Sequence, residues 1–120
     1  MWLKAPGDRG RRDLYIGNVY MPFVGTQIAD VTEWFDNLAG DVGRFQALWE
    51  VVVVGDFNAR VGCVDLPGDV IGQFGEDTRN IHGDKMIAFL HSTGLVAANG
   101  LERPSSSPLG ETLRPLATRR

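Results

Sequence analysis

The chain has 120 residues, a formal net charge of −3 and a single cysteine, Cys63. That length allows one domain with a real core, one cysteine excludes an internal disulfide framework, and the mild negative charge excludes a surface that coats nucleic acid by overall basicity. The apolar fraction of 43% and charged fraction of 22% are those of an ordinary globular protein.

Residues 1–12 contain Arg9, Arg11 and Arg12 among glycines and read as an N-terminal arm or loop. Three arginines could touch phosphate, but a solvated arm accounts for them as well. "MWLKAPGDRGRRD" lacks the apolar core of a secretory signal. With one cysteine this favours an intracellular location, nuclear or cytoplasmic. No apolar run approaches a membrane span, so no membrane partner is expected.

From Asp13 to Pro22, "DLYIGNVYMP" carries the strand formers Tyr15, Ile16, Val19 and Tyr20, and Pro22 closes the element. Thr26 to about Phe45 reads as a helix. Ile28, Val31, Trp34 or Phe35, and Leu38 recur at three- to four-residue spacing, with Asp30, Glu33 and Asp36 on the other face. Gly40 and Gly43 weaken its second half. "EVVVV", Glu50 to Val54, is a short apolar strand of the kind buried on both faces inside a sheet. It is expected at the centre, between "LYIGNVYMP" and "LVAAN". A long glycine-rich loop follows Asn58. A second helix is expected from Asp84, with Gly94 as its stop, then the strand "LVAAN". Residues 101–120 have the composition of a disordered tail. The order strand, helix, strand, helix, strand implies an α/β layered architecture.

The valines run into Gly55, Asp56, Phe57 and Asn58. Residues two apart on a strand point to one side, and Gly55 lets the chain bend. A carboxylate and a carboxamide would then stand together at the C-terminal edge of the sheet, where open α/β folds place ligands. An Asp there can hold Mg²⁺ or orient water, and an Asn can bond a phosphate oxygen. Gly-Asp-x-Asn is also plain turn chemistry.

"VVVVGDFNARVG" resembles the Gly-Asp-Phe-Asn signature of the endonuclease/exonuclease/phosphatase family, the deoxyribonuclease I-like fold. "IGNVYMP" resembles that family's Asn-Val-Tyr-x-Pro strand. "IGQFGEDTRNIHGDKMIAFLHSTGLVAAN" resembles the retroelement-type sequence in which an Asn-x-x-Gly turn leads into a helix and a Leu-Val-x-x-Asn strand. The resemblance spans residues 13–100 and is nearest to the branch of non-LTR retrotransposon and craniofacial-development-protein-like members.

The resemblance implies a fragment of a four-layered α/β-sandwich, Mg²⁺ as cofactor, DNA as partner and phosphodiester hydrolysis as the reaction. Asp56 matches the aspartate that prepares the attacking water, with metal contact an open alternative. Asn58 matches the phosphate-contacting asparagine, and Tyr20 the active-site tyrosine. Asn18 shares the strand face of Tyr20 without a definite role. As a bare strand-end aromatic, Tyr20 would instead pack on the core. The family also uses a glutamate on an early strand and a late Asp-His pair, and neither has a counterpart in this sequence. The expectation is a partial phosphodiesterase domain from a retroelement reading frame, inactive alone. The alternative is a non-catalytic remnant, either a binding module or a chain that does not fold stably.

Other chemistry-bearing residues carry weaker patterns. His82 and His91 lack zinc spacing. Cys63 has no adjacent basic residue in sequence and reads as a plain loop thiol. Asp65, Asp69, Glu76 and Asp77 lack the EF-hand pattern and read as a solvated loop.

Overall fold

The computed structural model describes residues 1–22, 27–63, 69–100 and 117–119. The elements in chain order are β1 (Trp2–Ala5), β2 (Leu14–Tyr20), α1 (Ile28–Gln46), β3 (Glu50–Asp56), α2 (Ile81–Thr93), β4 (Leu95–Val96), a 3₁₀ turn (Ala98–Gly100) and β5 (Ala117–Arg119). The architecture is mixed α/β, with one sheet in the order β1-β2-β3-β5-β4.

The parallel pair β2–β3 is the heart of the sheet, with Tyr15 opposite Val51 and Tyr20 opposite Asp56. A parallel pair needs a long crossover, and α1 lies in it. Val31, Phe35, Leu38 and Val42 form the buried stripe of α1. Gly40 and Gly43 do not break the helix. Both are exposed, and a Cβ at either would meet open space. They cost helix propensity without costing core contacts.

Val51 and Val53 are 1% and 0% exposed, whereas Val52 and Val54 are only half-buried. The valine run therefore alternates. One face packs on the helices, where Phe35 of α1 meets Phe89 of α2 at 5.7 Å. Each fully buried valine contributes about 1.5–3 kcal/mol by leaving water.

Three elements differ from the sequence reading. Residues 1–12 are not all arm, because Trp2–Ala5 form the edge strand β1, antiparallel to β2. Its anchor is long-range. Trp2 lies across Gly17, where a Cβ would stand 2.8 Å from the indole, and its ring packs 4.7 Å from Phe45. The valine strand is central, but its neighbours are β2 and β5, and β4 pairs outside β5. "LVAAN" shortens to Leu95–Val96 before the 3₁₀ turn. Most of the expected disordered tail, 101–116 and 120, lies outside the described residues, while Ala117–Arg119 form a strand. Trp2, Trp34 and Trp49 are half-buried.

Gly55 is fixed by geometry. Its φ is +136°, and a Cβ would sit 1.9 Å from the Val19 carbonyl oxygen. Gly55→Ala should lower stability by roughly 3 kcal/mol, the upper range for such strain, read as a drop in the urea midpoint.

A pH effect follows from the β1–β2 loop. The Gly7 N–H donates to Asp13 at 2.9 Å, and the Lys4 ammonium lies 2.9 Å from its other oxygen. These hold the Asp13 carboxyl below its usual range and the Lys4 ammonium above its own. A depressed carboxylate stabilises the fold above the ordinary Asp value of about 3.9 and loses that contribution as pH falls through the folded-state value. The midpoint gap between wild type and Asp13→Asn should therefore close below about pH 3.9. It should be small and shrink in salt, because the pair is exposed.

Candidate functional site

The C-terminal ends of β2 and β3 are tied together by one turn. The Met21 N–H donates to the Asp56 carbonyl at 2.8 Å. The Asn58 side-chain amide donates to the Met21 carbonyl at 2.5 Å. Asp56 Oδ1 accepts from the Asn58 N–H at 2.9 Å, the local bond by which an aspartate closes a turn two residues on. Asn58 takes φ +46°, a left-handed conformation that asparagine tolerates better than most residues.

This turn opens onto a cleft of about 370 Å³ whose walls include Asp56, Asn58, Arg60, Asn80, Met86 and Asn99. Asp56 and Asn58 thus stand in one cleft. Tyr20 does not line it. It sits beside Asp56 across the strand pair and is 66% exposed, so it is not a core aromatic. Asn18 is exposed one pleat back, opposite Val54. Asp56 retains acceptor capacity, since a carboxylate offers about four lone-pair positions.

Arg60, Asn80 and Asn99 were not singled out from sequence. For Asn80 a signal exists, an asparagine directly before a helical segment and three residues before Gly83. Its Oδ1 accepts from the Gly83 N–H at 2.8 Å, which caps α2, and from the Arg60 N–H at 3.0 Å. The Asn80 N–H donates to the Arg60 carbonyl at 3.0 Å, and Nδ2 reaches the Asn58 carbonyl at 3.5 Å. The cap explains why α2 begins at Ile81 and not at Asp84. Gly83 belongs to the same clamp, since a Cβ there would stand 1.8 Å from the Arg60 carbonyl oxygen. The Asn-x-x-Gly turn therefore fastens the backbone of 58–60 to the start of α2. Arg60 carried no local signal, and Asn99 entered only as the last residue of the Leu-Val-x-x-Asn match, because only the fold brings the two to the cleft with Asp56.

The remaining candidates stand apart. Glu76 lies 3.6 Å from Arg60, an exposed pair of little energetic weight. Asp69 lies 3.8 Å from His91. His82 is buried, Cys63 is half-buried and Asp77 is exposed, whereas Asp65 falls outside the described residues. Among the described residues no group of three or more His, Cys, Asp or Glu side chains is placed to hold a metal ion. Mg²⁺ wants octahedral oxygen coordination with anchoring carboxylates. The described residues offer Asp56 alone at the turn, so they do not by themselves fit that ion. No described helix is long and apolar enough to cross a membrane.

The chain is 30% identical over 94 residues to craniofacial development protein 2 of Bos taurus. The same holds for craniofacial development protein 2 of Tragulus javanicus. The match covers 78% of this chain and 16% of each relative, so the chain spans under a fifth of their length. No family model matches the chain, and no solved structure matches it.

The clamp is directly testable. Asn80→Ala removes the cap and the side-chain bonds to Asn58 and Arg60 while keeping the backbone bond from residue 80 to the Arg60 carbonyl, and should cost about 2 kcal/mol. Asn80→Asp keeps the acceptor oxygen and should lose less than half of that. Urea unfolding measures both, and hydrogen exchange at the Arg60 and Gly83 amides should speed up in Asn80→Ala.

Proposed function

We propose that the chain is a segment of an endonuclease/exonuclease/phosphatase-like domain with the deoxyribonuclease I-like sandwich fold, and that its Asp56 edge faces a phosphodiester of DNA. Craniofacial development protein 2 belongs to that wider family. The observation that carries the reading is the register of β2 and β3. It sets Tyr20 beside Asp56, with Asn58 bonded across to Met21, at the C-terminal ends of two parallel strands. Ligands bind at such ends in open α/β sheets.

The roles follow from the donors and acceptors present. The Asp56 carboxylate is an acceptor that can orient a water or take its proton. The Tyr20 hydroxyl and the Asn58 amide can donate to phosphate oxygens. Mg²⁺, when bound by a complete member of such a family, neutralises charge on the phosphate and the leaving oxygen. A retroelement reading frame is the proposed source, and a reverse-transcriptase domain in neighbouring coding sequence would bear that out. The binding-only alternative draws on one observation, the lack of a metal-holding group among the described residues. The isolated chain is accordingly proposed to bind without cutting.

Two measurements test this. Supercoiled plasmid incubated with the chain in Mg²⁺ should be nicked no faster than in EDTA, and Asp56→Ala should change nothing. Mg²⁺-dependent nicking lost in Asp56→Ala would overturn the inactive reading. In an NMR titration with a short DNA oligomer, the amides of Tyr20, Asp56 and Asn58 should shift. If those signals stay fixed at saturating DNA, the phosphodiester reading fails.

A further inference from the structure

The cleft at Asp56 continues past the proposed phosphate position. A second hollow of about 130 Å³ shares Ala59, Arg60, Val61 and Asn99 with the first. Its far side carries Phe74, Gly75 and Glu76, and its apolar lining includes Ile71 and Ala97, which are 2% and 3% exposed. Phe74 is the exception to that burial. It is 37% exposed, an aromatic at the rim of a hollow with buried apolar residues at its base.

The rim is held in place. A Cβ on Gly75 would stand 2.5 Å from the Gly62 carbonyl oxygen, so the backbone beside Phe74 lies directly on the 59–62 segment. That segment is fastened in turn. The Arg60 N–H donates to Asn80, and Arg79 Nε donates to the Val61 carbonyl at 2.9 Å. Phe74 and Asp56 thus sit on two parts of one clamped surface.

We propose that this second hollow is a subsite for a nucleobase, taking the unstacked base next to the phosphate that Tyr20 and Asn58 contact. The proposal rests on the phosphodiester reading above and adds what lies beside the phosphate. Three features select a base over a second phosphate. The hollow's lining includes the buried apolar residues Ile71 and Ala97, which suit a flat heterocycle better than an anion. Its charged residues, Arg60 and Glu76, are of opposite sign and lie 3.6 Å apart, so they give no net attraction for an anion. Phe74 is a partly exposed aromatic in the lining, and any base can stack on an aromatic ring without sequence preference. Asn99 supplies both an amide donor and a carbonyl acceptor to the edge of the base. A base inside a duplex cannot reach such a hollow, so the ligand is single-stranded or locally unpaired.

The test uses the 120-residue chain and two probes of equal length, a short oligothymidylate and an oligomer of abasic tetrahydrofuran sites. Both should shift the amides of Tyr20, Asp56 and Asn58, and only oligothymidylate should shift Phe74, Gly75 and Asn99. Phe74→Ala should weaken oligothymidylate binding on the order of tenfold, as for loss of one stacking aromatic, and leave the abasic oligomer unchanged. Phe74→Leu controls for folding, since it keeps an apolar side chain at the rim. It should lose most of the same affinity with an unchanged urea midpoint. If both probes shift the same residues and Phe74→Ala binds both equally, the base subsite is wrong and the phosphate reading stands. If oligothymidylate shifts Phe74 and Asn99 while neither probe touches Tyr20, Asp56 and Asn58, the base subsite stands and the phosphodiester reading falls. Binding of neither probe overturns both.

Discussion

The close approach of β2 and β3 at Gly55 governs the rest of the molecule. With φ +136° and the Val19 carbonyl where a side chain would begin, no other residue keeps the parallel strands in contact to their ends. Because they stay together, the Met21 N–H reaches the Asp56 carbonyl and the Asn58 amide reaches Met21. On the same strand, Val51 and Val53 join the buried stripe of α1 in one hydrophobic core. A looser pairing would separate Tyr20 from Asp56 and open the core behind them. The candidate site's edge and the hydrophobic core therefore depend on the same backbone approach.

The second constraint is the clamp made by Asn80 and Gly83. One side chain ends a loop, starts a helix and bonds the backbone of 58–60. A helix N-terminus leaves amide donors without partners, and Asn80 answers one of them while also reaching the loop. The long connection after Asn58 is thereby pinned at Arg60 and Val61, close to the turn carrying Asp56. Loops that hold functional groups work best when a rigid scaffold sets their position. In this chain the scaffold reaches the loop through an amide side chain and a missing Cβ.

The site is rich in amides and poor in carboxylates. Asn58, Asn80 and Asn99 share the cleft with one aspartate and one arginine. Such a surface can recognise phosphate and base edges by hydrogen bonds. It does not by itself concentrate the negative charge that anchors a divalent ion. Amide groups and anchoring carboxylates are separable features, and the described cleft holds more of the first than of the second. The other face of the sheet, with Leu3 exposed and Ile16, Val52 and Val54 half-buried, is the less covered side of the fold.

Local sequence determined those features that short-range chemistry dictates. The spacing of Val31, Phe35 and Leu38 specified α1, the valines specified β3, and Gly-Asp-Phe-Asn specified a polar turn at the end of that strand. Family resemblance extended the turn to Tyr20 and Asn18, which the structure places on the same exposed side of β2, outside the cleft. Tertiary structure decided what depends on distant partners. Trp2–Ala5 became a strand because Trp2 found Gly17 and Phe45, although its own stretch is rich in glycine and charge. β5 took the place beside β3 that "LVAAN" was expected to fill, since strand order is settled by pairing between segments far apart in sequence. Arg60 and Asn99 joined Asp56 only through folding, because a residue's neighbours across a cleft leave no periodic trace in the chain.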